Sequence, residues 1–309
     1  MNLETDFTTH TKNLPDDYEG KVIATLIEAN ANTGTRKSVL YIHGFVDYFF
    51  QTEMASKFLE QGFDFYALDL RKYGRSLLPH QHPNYCRSIS EYYSEISLAL
   101  IKIYLKSNKK VTLVGHSTGG LIASLYMNEN EHKNLVDSLI LNSPFFEINI
   151  SKLKRFILPA IATINVALNK FSKLGGALNR VYSESIYKGN YGEWDFNLKW
   201  KPIQGFPRYY AWVKAVLEAQ KKIQNESNIE IPVLVMHSNN SFIAKKYTPD
   251  TKTADIVLNV EHIKRIGAKL GPKVTLVSIK GGMHDLVLSQ KDARNNTYSS
   301  MFSWLNNLS

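Results

Sequence analysis

The apolar run Val111-Thr-Leu-Val114 passes directly into Gly115-His-Ser-Thr-Gly119-Gly120, and Leu121, Ile122, Leu125 and Tyr126 follow at helical spacing. This order predicts a buried strand, a sharp turn and a helix. The glycines leave room for a strained central residue, so the Ser117 hydroxyl would stand exposed at the C-terminal edge of a sheet.

Elsewhere the alternation repeats. Ser38 to Ile42, Phe63 to Leu68, Ser138 to Leu141, Val233 to Met236 and Val274 to Ile279 are short apolar runs separated by helical stretches, so an α/β chain with a mostly parallel sheet is expected. Ile89, Tyr93, Ile96, Leu100 and Ile103 share one helix face, which should be buried. Tyr18 to Ala29 reads as an antiparallel edge strand ahead of Ser38, with Asn32 to Gly34 as the turn between them.

Strand-like runs cease after Ser143-Pro144 and resume only at Ile231. One domain with an insertion is therefore expected: a core of residues 1–144 and 229–309 and a helical lid of residues 145–228. The lid segment carries Leu153, Phe156, Ile157, Ile161, Ile164 and Leu168, and three of the four tryptophans, Trp194, Trp200 and Trp212. Such a cluster either lines an apolar pocket or packs the lid itself.

A serine hydroxyl is a poor nucleophile at neutral pH and needs a base, an orienting acid and donors for an oxyanion. Ser38 to Ile42 ends in His43-Gly44-Phe45, where Gly44 permits a tight approach and the Phe45 N–H could meet the Thr118 N–H at one oxygen. His43 reads as a hydrogen-bonded structural histidine. The base is expected at His284, which follows the last strand on the loop Gly281-Gly-Met-His284-Asp285 and takes the third place in the order serine, acid, histidine. No carboxylate follows Val233 to His237 directly. Asp255, at a loop-to-helix junction, is favoured over Asp250 in a looser setting, while Asp285, adjacent to His284, should point elsewhere. The bland role for Asp255 is a helix N-cap.

On these residues the chain resembles the serine hydrolases of the α/β-hydrolase fold, in the branch of monoacylglycerol lipases and lysophospholipase-like esterases. The resemblance rests on His43-Gly44-Phe45, Asp69-Leu-Arg-Lys-Tyr-Gly-Arg-Ser76, Gly115 to Gly120, Asn142-Ser-Pro144 and Gly281 to Asp285. It implies the nucleophile at Ser117, the base at His284, and the Phe45 and Thr118 N–H groups as oxyanion donors. A departure falls at the acid, where His237-Ser-Asn-Asn and a long insertion precede Asp255. The expected substrate is a small acyl ester: a monoacylglycerol, a lysophospholipid or a short ester. A prolyl-type aminopeptidase is the enzymatic rival and would use Glu184, Glu193 or Asp195 to hold a substrate amine. A ligand-binding module whose catalysis has lapsed is the rival of another class.

The formal charge of +9 favours anionic partners. Lys152, Lys154 and Arg155 beside an apolar helix suit either a solvated face or peripheral contact with a lipid surface. The basic residues are scattered and no nucleic-acid motif appears, so no nucleic-acid partner is expected. Cys86 is the single cysteine, which excludes an intrachain disulfide. Zinc spacing and a phosphate-binding loop are both lacking, and the serine mechanism requires neither metal nor organic cofactor. Met1 to Gly20 is polar and no run approaches a membrane span, so a cytoplasmic enzyme is expected.

Overall fold

The computed structural model describes residues 1–31, 37–107, 110–176 and 178–308. In chain order its strands are β1 (Thr8–Asp17), β2 (Gly20–Ala29), β3 (Lys37–Ile42), β4 (Phe63–Asp69), β5 (Val111–His116), β6 (Val136–Asn142), β7 (Lys173–Leu174), β8 (Arg208–Tyr209), β9 (Val233–Ser238) and β10 (Val274–Ile279). Eight of them form one sheet in the order β1-β2-β4-β3-β5-β6-β9-β10, and β7 pairs with β8 apart from it. The run from β4 to β10 is parallel; β2 lies antiparallel to both β1 and β4. This is the mostly parallel α/β sheet expected from the strand pattern.

The central strands are apolar on both faces because both faces are covered. Val39 and Tyr41 of β3 enter one cluster while Leu40 and Ile42 enter the other, and Phe65 and Ala67 of β4 separate from Tyr66 and Leu68 in the same way. On one face lie α2 (Tyr93–Ser107), α3 (Thr118–Glu129), α6 (Tyr210–Glu226) and α7 (Val260–Gly267). Across the sheet lie α1 (Thr52–Glu60) and α8 (Lys291–Asn306). Ile96, Leu100 and Ile103 of α2 are buried, as their spacing requires.

One expectation is corrected at the N-terminus. The antiparallel strand β2 is not the edge; β1 covers it, pairing Thr8 with Glu28 through Asp17 with Gly20. β1 escaped notice because its residues, Thr-Thr-His-Thr-Lys-Asn-Leu-Pro-Asp-Asp, are mostly exposed and carry no apolar alternation. The turn expected at Asn32 to Gly34 lies outside the described residues.

Between β6 and β9 the chain forms α4 (Lys152–Leu168), β7, α5 (Val181–Ile186), β8 and α6. The two long helices of this segment differ in their setting. α6 buries Trp212, Val213, Ala215, Val216, Ala219 and Ile223 in the main core, whereas α4 buries Ala162 alone. Among the described residues no helix is long and apolar enough to cross a membrane.

The close meeting of β3, β5 and α3 depends on glycine. A Cβ at Gly119 would collide with the carbonyl oxygens of Ile42 and His43, and one at Gly115 would lie 2.6 Å from the Gly119 oxygen. Gly119→Ala should therefore cost about 3 kcal/mol or more of stability in urea unfolding. At Gly175 an added methyl meets open space. Gly175→Ala should stay within about 0.5 kcal/mol of the unsubstituted protein.

Candidate active site

Ser117 stands between β5 and α3 with φ +52° and ψ −116°. A non-glycine residue there carries strain of order 1–3 kcal/mol, so its surroundings must hold it. Its N–H donates to the Asn142 oxygen at 3.0 Å, and its carbonyl accepts from Phe145 N at 2.9 Å and Leu121 N at 3.2 Å. Ser117 Oγ lies 3.0 Å from His284 Nε2, and His284 Nδ1 lies 2.9 Å from Asp255 Oδ2. All three side chains are buried, Asp255 completely.

The position of Asp255 follows from its own turn. Its Oδ1 accepts from Val257 N and Leu258 N, each at 2.8 Å, leaving Oδ2 for the imidazole. An isolated bridge between Ser241 and Asp255 closes the intervening residues into a loop, so the insertion after β9 returns the carboxylate to the strand end. The N-cap of α7 is Asn259, not Asp255. Asp250 is exposed, on a 3-10 turn at Pro249–Lys252. Asp285 turns away from His284 and accepts from Asn142 Nδ2 at 2.7 Å and Gln51 Nε2 at 3.3 Å.

The loop after β3 lies against the elbow. His43 Nδ1 donates to the Gly44 oxygen at 2.8 Å while Nε2 accepts from Leu70 N at 3.1 Å, tying the ends of β3 and β4 together. A Cβ at Gly44 would come within 3.2 Å of Ser117 Cβ, so the residue before Phe45 packs directly on the elbow. Thr118 is the first residue of α3, so its N–H has no intrahelical acceptor. The Phe45 ring packs on Trp212 of α6, with centroids 4.0 Å apart.

Several neighbours carried no signal in the sequence. His116, the unspecified residue of the elbow, lies with its ring centroid 4.9 Å from that of His284, and its Nδ1 donates to the Asn142 oxygen at 3.1 Å. Tyr182 of α5 flanks the other side of His284 at 5.5 Å, and its hydroxyl accepts from Asp285 N. Asp47, His116 and Asp285 offer ligand atoms within 4.8 Å of one another. The countercharge there is the Lys201 ammonium, 2.8 Å from Asp47 Oδ1, so a metal ion would compete with a cation already in place. Only the Gly-His-Ser spacing could have pointed to His116, and nothing local pointed to Asp47, Lys201 or Tyr182.

The family described as Serine aminopeptidase, S33 matches residues 33–291. No curated protein sequence matches the chain significantly. Among solved structures, a soluble variant of monoglyceride lipase from Saccharomyces cerevisiae, in complex with a substrate analog, superposes with a TM-score of 0.70 at 17% identity, covering 100% of this chain and 99% of that one. A highly thermostable carboxyl esterase from Bacillus coagulans in complex with glycerol gives 0.69 at 14% identity, covering 97% and 98%. The monoacylglycerol lipase of Paleococcus ferrophilus gives 0.65 at 15% identity, covering 98% and 100%.

Burial holds the pKa of both His43 and His116 below the ordinary imidazole value of 6.5, with Asp69 opposing the effect at His43 and Asp285 at His116. As pH falls through 6.5 the unfolded chain takes up protons that the folded chain refuses, so stability rises with pH in this window. Above 6.5 their contribution is fully present; below it stability should decline until the folded rings protonate. Urea unfolding at stepped pH should show the slope, and His43→Gln should reduce it by up to about 1.4 kcal/mol per pH unit, one proton's share.

Proposed function

Because the chain belongs to the Serine aminopeptidase, S33 family of α/β-hydrolases, we propose that it cleaves carboxylic esters through Ser117, His284 and Asp255. The observation that carries this reading is the unbroken chain from Ser117 Oγ through the His284 ring to Asp255 Oδ2, at 3.0 and 2.9 Å within a buried setting. In the forward step Ser117 Oγ attacks the ester carbonyl carbon as its proton passes to His284 Nε2. Asp255 fixes the Nδ1–H tautomer and stabilises the imidazolium. The carbonyl oxygen, now an oxyanion, is held by the Phe45 and Thr118 N–H groups. Collapse breaks the ester C–O bond, and the leaving alcohol takes the proton from His284. Water then repeats the sequence on the acyl-enzyme and releases the acid.

A monoacylglycerol, lysophospholipid or short acyl ester is the substrate class in this reading, with residues 145–228 as a lid. The fold's likeness to a monoglyceride lipase and a carboxyl esterase supports it. So does α4, on which Leu153, Phe156, Ile161, Ile164 and Leu168 are exposed beside Lys152 and Lys154, the arrangement of a helix that rests on a lipid surface. The aminopeptidase reading needs an unengaged carboxylate for a substrate amine. Its candidates are already paired: Glu184 with Arg180, Glu193 with Arg294 and Asp195 with Lys188.

Intact-protein mass spectrometry after fluorophosphonate treatment should show one adduct, on Ser117, absent from Ser117→Ala and His284→Ala. An intact, folded chain that takes no label would point instead to a lapsed binding module. On a p-nitrophenyl ester, Asp255→Asn should lower kcat on the order of ten-thousand-fold. Asp250→Asn should leave it unchanged, and equal activities in the two variants would sink the acid assignment. Sedimentation with phosphatidylglycerol vesicles should recover the protein, and Phe156→Ser with Leu168→Ser should weaken binding about tenfold or more, the value of two exposed apolar side chains.

A further inference from the structure

We infer that Lys201, contributed by the segment between β6 and β9, is a positioning residue for the loop that carries the Phe45 N–H. The inference rests on the hydrolase reading above and adds to it a residue outside the triad. Lys201 is 5% exposed, which is rare for a lysine and demands a partner. Its Nζ lies 2.8 Å from Asp47 Oδ1 and 3.4 Å from the Val46 oxygen, with the ring centroids of Phe50 and Phe196 at 5.5 and 5.7 Å. Both of these Nζ hydrogen bonds go to the two residues that follow Phe45.

Those two residues need holding. Val46 has φ +50°, a conformation that a β-branched side chain takes only under constraint from its surroundings. Asp47 is 3% exposed, and without the ammonium its carboxylate would be buried beside Asp285 with no cation against it. Lys201 answers both requirements with one group. It is itself fixed, because Lys201 N and Trp200 N both donate to the Asn197 oxygen, and Asn197 N donates to the Tyr48 hydroxyl at 2.7 Å. Tyr48 belongs to the same loop, and its ring meets that of Trp200 at 5.1 Å. The peptide after Phe45 is thus clamped from the inserted segment at three successive residues, Val46, Asp47 and Tyr48. An oxyanion donor is useful only where its N–H is aimed before the charge develops, so loosening this clamp should act on the transition state more than on substrate binding.

The test compares wild type, Lys201→Met, Lys201→Arg and Asp47→Asn on a p-nitrophenyl ester, at a temperature where circular dichroism shows each folded. Lys201→Met should lower kcat by about tenfold or more with KM within about threefold, and should slow the second-order rate of fluorophosphonate labelling by a similar factor. Lys201→Arg should recover most of the loss. Asp47→Asn should lower kcat as well, and the double variant Asp47→Asn with Lys201→Met should be no worse than the weaker single variant, as residues acting as one unit behave. Wild-type labelling at Ser117 combined with a Lys201→Met variant whose kcat and labelling rate are unchanged, or whose loss lies in KM or melting temperature alone, overturns the inference and leaves the hydrolase reading standing. If Lys201→Met does not fold, Asp47→Asn decides: a wild-type kcat there overturns it equally. Absence of label on the wild type removes the hydrolase reading and this inference together.

Discussion

The close contact of three backbone segments at the elbow governs the rest of the molecule. Gly119 at the start of α3 lies against the last two carbonyls of the β3 segment, Gly115 lies against Gly119, and Gly120 approaches Pro144. No side chain fits in any of these gaps. The strain at Ser117 can be held because Asn142, Leu121 and Phe145 supply backbone hydrogen bonds on three sides. Strand order follows the same need: β3 and β6 must flank β5 so that the loop after β3 and the end of β6 both reach the turn.

Around that fixed point, the segment between β6 and β9 works as a brace. Tyr182 meets Asp285 on the histidine loop, and Trp194 Nε1 donates to the Leu288 oxygen farther along it. Ser185 donates to Thr251 on the loop that carries Asp255. Asn197 and Lys201 hold the loop after Phe45. Each of these loops is therefore fastened to the segment between β6 and β9, whereas α4, which buries Ala162 alone, takes no part in these contacts. The tryptophans take different duties: Trp194 and Trp200 serve the loops, and Trp212 backs the Phe45 ring from the core.

The fold was legible in the sequence where period and punctuation agree. The six apolar runs of the parallel sheet and the Gly-x-Ser-x-Gly turn each carry their signal within a few residues, and His284 was singled out by its position after the last run. Asp255 was readable only by elimination, because the Ser241–Asp255 bridge that brings it to β9 is a pairing across an irregular loop. β1 was missed because an exposed strand pairing on one side has little need of apolar residues. Lys201 and Asp47 lie 154 residues apart and neither belongs to a pattern, so a buried ion pair of this kind has no local trace. Apolar spacing along α4 announces an apolar face but says nothing of what, if anything, covers it.

The Ser117–His284 hydrogen bond spans 167 residues, and Asp255 enters between them from a third loop. Contacts of such sequence separation form late, since the chain must close long loops before the contact can stabilise anything. During synthesis the elbow, the loop after β3 and the whole segment between β6 and β9 leave the ribosome well before β10 and the histidine that follows it. The strained Ser117 is thus in place long before the histidine that meets it has been synthesised, and a chain clipped ahead of β10 lacks that partner.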